Sequence, residues 1–303
     1  MKKRRLGKSE LYVSELGLGC MSLGTESKKA EAIIEAALQE GVNYFDTADL
    51  YDYGENEQLV GKALKKVREQ VIIATKAGNR WNEQTDGWSW DPSKRYIKEA
   101  VKNSLKRLGT DYIDLFQLHG GTIEDPIEET IEAFEELCAE GYIRYYGISS
   151  IRPNVIREYV EKSNIVSVMM QYSILDRRPE EEILPLLQKN NIGTVTRGPL
   201  ANGLLSAKML AKASENGYLD YHFAELAEML PQIREKITAT RSMNEIALQY
   251  NLVNPAVSSV IAGASSVEQI HENAKAIRAH PLTDWELTTI REITKMNIYK
   301  QHR

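Results

Sequence analysis

The sequence has little cysteine and no long apolar run. Its two cysteines, Cys20 and Cys138, lie far apart in the chain of 303 residues. Such sparse thiols argue against a disulfide framework and fit a reduced, cytoplasmic protein. No stretch approaches the roughly 20 apolar residues that a transmembrane helix needs, and the basic segment Lys2–Arg5 is not followed by the apolar run of a signal peptide. We therefore expect a cytoplasmic protein without a membrane partner.

An excess of basic residues is also missing. The chain has 38 Lys and Arg against 43 Asp and Glu, and this net charge of −5 argues against a nucleic-acid partner, which selects a basic surface. Metal-binding patterns such as HExxH or paired CxxC do not occur, so we expect no metal site. The remaining composition, 42% hydrophobic and 27% charged, is that of a soluble protein long enough to bury a large core.

Eight short apolar segments alternate with helical patterns along the chain. The predicted strands are Leu16–Gly19, Val42–Phe45, Val71–Thr75, Ile113–Leu118, Ile143–Ile148, Val166–Met170, Ile192–Thr196 and Val257–Ile261. Nearly continuous apolar runs are typical of strands that are buried on both faces of a parallel sheet, and eight such strands can close without exposed edges. Because no low-complexity segment or Gly/Ser linker occurs, the sequence predicts one α/β domain over residues 1–303, a (β/α)8 TIM barrel.

Two additions to the barrel are also expected. Arg4–Leu6 and Tyr12–Ser14 flank a glycine turn and predict an N-terminal β-hairpin, and Asp284–Lys295 predicts an extra C-terminal helix. The other predicted helices are Ala30–Gln39, Asn56–Val67, Ser93–Leu108, Ile127–Ala139, Pro153–Glu161, Glu181–Lys189, Ser242–Tyr250 and Val267–Ala276. The segment from Gly198 to about Tyr221 has no regular pattern, and such a long loop inside a compact domain is usually functional.

Ionisable side chains stand directly after three of the predicted strands. Asp46, Lys76 and His119 follow the second, third and fourth strands, and Tyr51 lies five residues beyond Asp46. Because the carboxyl ends of parallel barrel strands meet at one rim, we expect these four side chains to gather there. Asp46 and Lys76 alone could form a structural ion pair, but Tyr51 and His119 in the same register favour an enzyme active site.

The four residues resemble the catalytic tetrad of the aldo-keto reductase superfamily, including its bacterial members. The resemblance runs over nearly the whole chain and includes Asp46-Thr47-Ala48, Gly147-Ile148-Ser149-Ser150 and Gly203-Leu204-Leu205. It implies an NADP(H)-dependent reductase of aldehydes and ketones whose nicotinamide cofactor binds on the barrel. Consistent with this, Gly17-x-Gly19 lacks the third glycine of a Rossmann dinucleotide motif.

The resemblance implies a role for each member of the tetrad, which consists of Asp46, Tyr51, Lys76 and His119. Carbonyl reduction needs a hydride at carbon and a proton at oxygen, and a free tyrosine is a weak acid at neutral pH. A lysine ammonium about 4 Å from the phenol favours the phenolate by roughly 4 kcal/mol at an effective dielectric of about 20, before desolvation is subtracted. Lys76 would thus activate Tyr51 as general acid, and Asp46 would keep Lys76 charged. His119 would orient the substrate oxygen.

Cofactor contacts are expected around the same rim. By resemblance, Ser149, Ser150 and Gln171 bind the nicotinamide carboxamide, and Pro199-Leu200 with the segment 203–208 wraps the pyrophosphate. The segment 263–273 holds the adenosine phosphate near a helix N-terminus, where the helix dipole favours an anion. The full set of expected contacts is Gly19, Cys20, Met21, Asp46, Ser149, Ser150, Gln171, Arg197, Gly198, Pro199, Leu200, Gly203, Lys208, Gly263, Ala264, Ser265, Ser266, Gln269 and Asn273.

Two positions depart from the family pattern. Arg197 stands where many relatives place an aromatic residue on the nicotinamide, and its planar guanidinium could also stack there or hold an anion. Gln269 stands where some relatives carry an arginine for the 2′-phosphate. Because neutral hydrogen bonds are weaker than charge-assisted ones, we expect NADP(H) to be preferred and NAD(H) to bind with lower affinity.

The loop after the third strand is rich in tryptophan. It contains Trp81, Trp88 and Trp90, three of the four tryptophans in the chain. These rings could form an apolar wall that favours aromatic or medium-chain carbonyl substrates, or they could simply pack the loop against the barrel. The expected substrate pocket consists of Met21, Tyr51, Trp81, Trp88 and His119.

Two other functions stay open at this point. One is a nicotinamide-binding, redox-sensing regulatory subunit with little turnover, like the potassium-channel β subunits of the family that the chain resembles. The intact tetrad argues against it. The other is a barrel isomerase or lyase that uses Lys76 as a Schiff base, which Asp46 disfavours because it keeps the amine charged.

Overall fold

Eight parallel strands close into a barrel in a computed structural model that describes residues 1–82, 87–206, 209–237 and 241–303. The strands are β1 (Lys3–Arg5), β2 (Tyr12–Ser14), β3 (Leu16–Gly19), β4 (Tyr44–Asp46), β5 (Ile72–Ala77), β6 (Asn79–Asn82), β7 (Gly87–Trp90), β8 (Ile113–Leu118), β9 (Ile143–Ser149), β10 (Ser167–Gln171), β11 (Gly193–Arg197) and β12 (Val257–Gly263). β1–β2 and β6–β7 are antiparallel hairpins, and pairing of β12 with β3 completes the barrel. The predicted α/β TIM barrel and its N-terminal hairpin are confirmed.

The helices surround the barrel, and four of them begin at a side-chain cap, Ser93, Ser242, Ser266 or Thr283. They are α1 (Ser27–Gln39), α2 (Glu55–Leu64), α3 (Lys94–Leu108), α4 (Ile127–Ala139), α5 (Pro153–Lys162), α6 (Ile183–Lys189), α7 (Phe223–Ile237), α8 (Met243–Val253), α9 (Val267–Arg278) and α10 (Asp284–Ile293). Ser93 accepts a hydrogen bond from the Tyr96 amide at the start of α3, and left-handed Gly109 ends that helix. α10 is the predicted additional C-terminal helix. Among the described residues, no helix combines the length and apolar character needed to cross a membrane.

The hydrophobic core has two layers. The larger layer lies between the barrel strands and the helices. The smaller layer fills the barrel interior, where Ile72 and Leu115 belong to the same buried cluster as Leu6, Leu11 and Val13 of the N-terminal segment. The hairpin therefore closes the amino-terminal end of the barrel, and the candidate site lies at the opposite, carboxyl-terminal end.

Three features differ from the sequence predictions. The tryptophan segment after β5, expected as a loop, contains the hairpin β6–β7, in which Trp81 pairs with Trp88. The irregular segment after β11 contains two short 3-10 turns, Ala201–Gly203 and Met209–Lys212. Helix α7 was not predicted because it carries an interior proline, Pro231, which normally interrupts a helix. Its buried apolar residues nevertheless keep helical spacing, and packing stabilises it.

Candidate active site

The four residues of the tetrad converge at the carboxyl-terminal rim. Asp46 ends β4, Lys76 lies near the end of β5, His119 follows β8, and Tyr51 begins a 3-10 turn before α2. Lys76 Nζ donates to Asp46 Oδ2 and to the carbonyl oxygen of Thr47, both at 2.7 Å. Lys76 Nζ also lies 5.1 Å from the centre of the Tyr51 ring, and the Tyr51 and His119 rings are 6.0 Å apart, edge to face. The structure thus brings the four predicted side chains together.

The Asp46–Lys76 pair is almost completely buried. Burial opposes the charged ammonium, but Asp46 and Tyr51 outweigh that effect and raise the pKa of Lys76 above its ordinary value. Burial is the larger effect on the carboxyl group and raises the pKa of Asp46, although Lys76 opposes the change. Lys76 is therefore a cation at neutral pH, held against the hydroxyl-bearing ring of Tyr51.

His119 is neutral at physiological pH. Burial lowers the pKa of its imidazole to about 3, and the positive charges of Lys76 and Arg197 act in the same direction. Its Nδ1 is buried and has no hydrogen-bond partner among the residues that the structure describes. A neutral imidazole can donate one hydrogen bond but is a poor source of a full proton near pH 7. His119 is therefore unsuited to act as a proton donor near neutral pH.

Tyr51 stands on a strained turn. The next two residues, Asp52 and Tyr53, both have left-handed backbone conformations, with φ of 47° and 52°. Such conformations are costly for residues other than glycine and persist at functional sites where surrounding contacts enforce them. One such contact is the edge-to-face packing of Tyr53 on Trp81, with ring centres 5.5 Å apart. The turn therefore fixes the position from which the Tyr51 side chain extends.

A second buried polar cluster lies behind this turn. Tyr96 donates to Asp49 Oδ2 at 3.2 Å, and Glu57 accepts from Thr75 and Arg107, each at 2.6 Å. Burial, helped by the negative charge of Glu57, raises the pKa of Asp49 to about 7. Sequence reasoning missed this cluster. One signal could have found it: Glu57 has helical spacing with the apolar residues of α2 and therefore lies on the buried face.

A cavity of about 1120 Å³ opens over the tetrad. Such a volume exceeds the roughly 300–1,000 Å³ of sites for drug-sized ligands. The expected cofactor contacts that line it are Gly19, Met21, Asp46, Ser149, Ser150, Arg197, Gly198, Pro199, Leu200, Gly203, Gly263 and Gln269. Lining residues that sequence reasoning missed include Asn79, Gly120, Gly121, Thr122, Arg152, Asn202 and Lys212. Gly120, Gly121 and Thr122 directly follow His119, which is the signal that could have found them.

Of the seven remaining expected cofactor contacts, the six that the structure describes lie outside the lining of this cavity. Gln171 Oε1 accepts from Arg197 at 3.1 Å, so Gln171 orients a residue that does line the cavity. Asn273 is buried and accepts from Asn244 of α8 at 3.1 Å. The others are Cys20 and Ala264, which are buried, Ser265, whose amide donates to Gln269, and Ser266, which caps α9. Lys208 lies outside the described residues.

The tryptophans divide into two roles. Trp88 and Trp90 line the cavity, whereas Trp81 packs on Tyr53 and is not part of the lining. Trp90 was not in the expected pocket. Its indole Nε1–H donates to Asp125 Oδ1 at 2.8 Å, and a Cβ at Gly78 would approach the ring to 2.7 Å. Trp90 is therefore a fixed wall, and Trp88, which is 60% exposed, stands at the mouth.

The sequence profile of the Aldo/keto reductase family matches residues 15–295. The chain belongs to this family. Its members are oxidoreductases that use nicotinamide cofactors and act on small carbonyl compounds, so the predicted family and enzyme class are confirmed.

Close relatives of this aldo-keto reductase span its full length. The uncharacterized oxidoreductase YqkF of Bacillus subtilis is 61% identical, with all of both chains covered. The solved holo form of aldo-keto reductase AKR11C1 from Bacillus halodurans is 59% identical, with a TM-score of 0.95 over 100% of this chain and 99% of that one. A more distant relative, the NADH-specific methylglyoxal reductase of Escherichia coli, is 32% identical over 97% of this chain and 99% of its own.

The residues around the cavity fit a nicotinamide dinucleotide. Glycines at 19 and 263 keep side chains out of its floor, where a Cβ at Gly19 would stand 3.0 Å from Ile261. Arg197 and Lys212 supply positive charge for phosphates, and Gln269 lies in the first turn of α9, where the helix dipole favours an anion. His119, whose buried Nδ1 has no partner in the part of the chain that the structure describes, also lines this cavity. We therefore treat the cavity as the shared cofactor and substrate site.

Proposed function

We propose that this aldo-keto reductase reduces aldehydes and ketones to alcohols with NADPH as its preferred cofactor and Tyr51 as the general acid. The observation that carries the proposal is the buried ion pair of Lys76 and Asp46, set against the Tyr51 ring and beside a neutral His119. A permanently charged ammonium next to a phenol favours release of the phenolic proton. The four groups stand at the base of a cavity large enough for a dinucleotide and a small substrate.

Each residue has one task in this mechanism. When bound, the nicotinamide ring supplies the hydride that adds to the carbonyl carbon. Tyr51 gives its hydroxyl proton to the carbonyl oxygen, and Lys76 stabilises the phenolate that remains. Asp46 keeps Lys76 protonated and fixed, while His119 donates a hydrogen bond that orients the carbonyl oxygen. Solvent returns a proton to Tyr51. In the overall reaction, the carbonyl compound, NADPH and one proton give the alcohol and NADP⁺.

Local positive charge supports the choice of NADPH. Arg197 and Lys212 line the cavity in a protein whose net charge is −5, so local cations of this kind, and not the overall charge, attract the phosphate groups of the dinucleotide. Gln269, at the expected 2′-phosphate position, offers a neutral hydrogen bond only. Discrimination should therefore be moderate, and NADH should work at higher concentration.

The walls of the cavity support apolar substrates. Trp88, Trp90, Met21 and Ile151 line its mouth and sides. Aromatic rings contribute burial and stacking that small charged carbonyls cannot use. Aromatic and medium-chain aldehydes are therefore the favoured substrate class.

Turnover and cofactor titration test the proposal together. Wild-type protein should consume NADPH when aromatic aldehydes are added, and fluorescence titration should give a lower Kd for NADPH than for NADH. Tyr51→Phe should lower turnover at least about a hundredfold, the lower end for loss of a general acid, and keep NADPH binding within a few fold. Near-wild-type turnover by this variant would remove Tyr51 from its role. Cofactor binding without turnover in the wild type would favour a redox-sensing regulatory subunit instead.

A further inference from the structure

Several polar groups inside the barrel, beside the tetrad, have no hydrogen-bond partner in the part of the chain that the structure describes. They are Asp46 Oδ1, both amide atoms of Gln117, and the hydroxyl of Ser167. Gln117 and Ser167 are fully buried, and Asp46 is 4% exposed. Buried polar groups are nearly always paired, and an unpaired one often has a functional use. The mechanism above uses Asp46 and leaves the other two without a role.

The strand register places Lys76, Gln117 and Ser167 at one level of the barrel, with Gly147 between the last two. Lys76 of β5 pairs with Gln117 of β8, Gln117 pairs with Gly147 of β9, and Gly147 pairs with Ser167 of β10. Side chains alternate along a strand, and the residues two positions before Lys76 and Gln117 belong to the interior cluster of the barrel. Met169, two residues after Ser167, belongs to the same cluster, so the side chains of Lys76, Gln117 and Ser167 all point inward, from β5, β8 and β10.

Gly147 keeps the space between Gln117 and Ser167 open. A Cβ at Gly147 would stand 2.6 Å from Ser167 Oγ and 2.5 Å from the Ser167 carbonyl oxygen. Real Cβ contacts are longer, so a side chain at this position would displace the serine. With glycine there, the serine hydroxyl occupies the gap between β9 and β10, on the side of the barrel where Gln117 stands.

The Gln117 amide already interacts with Asp46. Burial raises the pKa of the Asp46 carboxyl, and both Lys76 and Gln117 act to lower it. The amide and Asp46 Oδ1 nevertheless fall short of good hydrogen-bond geometry. Active-site hydrogen bonds are often long or poorly aligned until the reacting complex forms, when they tighten. Asp46 thus has Oδ2 bound by Lys76, and its Oδ1 has no hydrogen-bond partner among the described residues.

We propose that Gln117 is a positioning residue whose amide donates to Asp46 Oδ1 and holds the carboxylate turned towards Lys76. The Ser167 hydroxyl supports Gln117 by donating to its Oε1. The hydrogen-bonded chain behind Tyr51 therefore runs from Lys76 through Asp46 and Gln117 to Ser167, across three further strands. This inference rests on the proposed reductase function and adds to it the residues that keep the ion pair oriented.

A pH effect follows from the direction of this hydrogen bond. A donor to the ionised carboxylate favours the charged form, so its loss makes Asp46 take up a proton at higher pH. Lys76 then loses its counter-charge, and the acid limb of the pH profile of kcat moves to higher pH. The titratable groups that surround Asp46 are Lys76, Arg197, Cys20, Tyr44, Tyr51 and His119. Burial raises the pKa of Cys20 and Tyr44, and His119 has a pKa of about 3, so these three stay neutral near pH 7.

Gln117→Met tests the proposal because methionine is close to glutamine in size and cannot form the hydrogen bond. With NADPH and an aromatic aldehyde, kcat at pH 7 should fall about tenfold, as for loss of a group that orients a functional residue. The acid limb of the kcat profile should move up by about half a pH unit, and KM for NADPH should stay within about twofold. Ser167→Ala should shift the acid limb in the same direction by a smaller amount. This variant tests the proposal if Gln117→Met does not fold.

Gln249→Met is the matched control. Gln249 is also a buried glutamine, but its amide donates to the carbonyl oxygens of Ala276 and Ile277 at 2.8 and 2.9 Å, at the end of α9. This variant should lose stability and keep the wild-type pH profile. A Gln117→Met or Ser167→Ala protein that turns over with the wild-type kcat and acid limb would overturn the proposal.

Stability gives a readout that does not need turnover. Because the pKa of Asp46 is raised in the folded protein, protonation at low pH stabilises the fold relative to neutral pH. Gln117→Met raises this pKa further and should gain more in Tm between pH 7 and pH 5 than wild type or Gln249→Met. Equal gains in all three proteins would count against the role of Gln117, whereas failure of wild-type turnover alone would count against the reductase function.

Discussion

Lys76 Nζ and Asp46 Oδ2 lie 2.7 Å apart in a part of the barrel that water barely reaches. Removal of one partner from a buried ion pair leaves the other charge without compensation, which typically costs about 3–5 kcal/mol of stability. The same removal takes away the cation that favours the Tyr51 phenolate. Stability and turnover therefore depend on this contact for separate reasons.

Lys76→Met should separate the two effects. Turnover near pH 7 should fall at least about a hundredfold, and the free energy of unfolding from urea titration should fall by about 3 kcal/mol. The double variant Asp46→Asn/Lys76→Met should recover part of the stability and none of the activity. A single variant as stable as wild type would show that its folded state carries no uncompensated charge on Asp46.

Asp49 should make stability depend on pH. Its pKa is about 7 in the folded protein and near 4 when unfolded, so the folded state binds more protons between these values. The free energy of unfolding should therefore fall as pH rises from about 4 through 7 and stay low above that. Asp49→Asn keeps an acceptor for Tyr96 and removes the charge. At pH 8 it should be more stable than wild type by up to roughly 4 kcal/mol, with a smaller difference at pH 5.

Urea unfolding at pH 5 and pH 8 measures this difference. Asp111→Asn, which changes an exposed aspartate, is the control and should leave the pH dependence as in wild type. Equal stability of the wild type at both pH values would mean that Asp49 is not protonated in the fold.

Trp88 should determine the preference for aromatic substrates. It lines the cavity and is 60% exposed, so its truncation removes a contact with the substrate and little core packing. Trp88→Ala should lower kcat/KM for an aromatic aldehyde by about two- to tenfold, which corresponds to the roughly 0.5–1.5 kcal/mol of an aromatic pair. It should change kcat/KM for a short aliphatic aldehyde much less and leave Tm unchanged. Trp285→Ala, a 62% exposed tryptophan on α10, is the control. Equal losses for both aldehydes would remove Trp88 from substrate selection.

Gln269 should set the strength of cofactor discrimination. Its Oε1 accepts from the Ser265 amide at 2.7 Å, and its side chain lines the cavity. Gln269→Arg places a cation where the 2′-phosphate is expected and should raise NADPH affinity more than NADH affinity, because charge-assisted hydrogen bonds are about twice as strong as neutral ones. Gln188→Arg on α6 adds the same charge at an exposed site and should change neither. Equal gains for both cofactors would show that the phosphate pocket lies elsewhere.

The tetrad and the barrel could be predicted because they follow local rules. Asp46, Lys76 and His119 each come at the end of an apolar run, and the topology of parallel strands then fixes where those ends meet. The pairing of Trp81 with Tyr53 instead of the substrate, by contrast, depends on the hairpin β6–β7, whose strands carry weak local signals. The sequence pattern places three tryptophans in one segment, but it does not show which of them face the cavity and which pack elsewhere.

Residues that act through distant partners could not be predicted in the same way. Asp49 reads as a solvated loop residue, and only contact with Tyr96 of α3 shows that it is buried. In the sequence, Gln117 is only a polar residue within an apolar strand. Its place beside the tetrad is evident only in the closed barrel. Long-range packing decides both cases, and a local pattern holds no information about it.

The hairpin that carries Leu6, Leu11 and Val13 also limits how molecules can reach the cavity. In the described part of the chain it fills the amino-terminal end of the barrel, so the cavity over the tetrad is reached from the opposite rim. Two molecules that share a cavity closed at one end must enter and leave through the same opening. If cofactor and substrate share the cavity, the molecule that lies deeper must bind first and leave last.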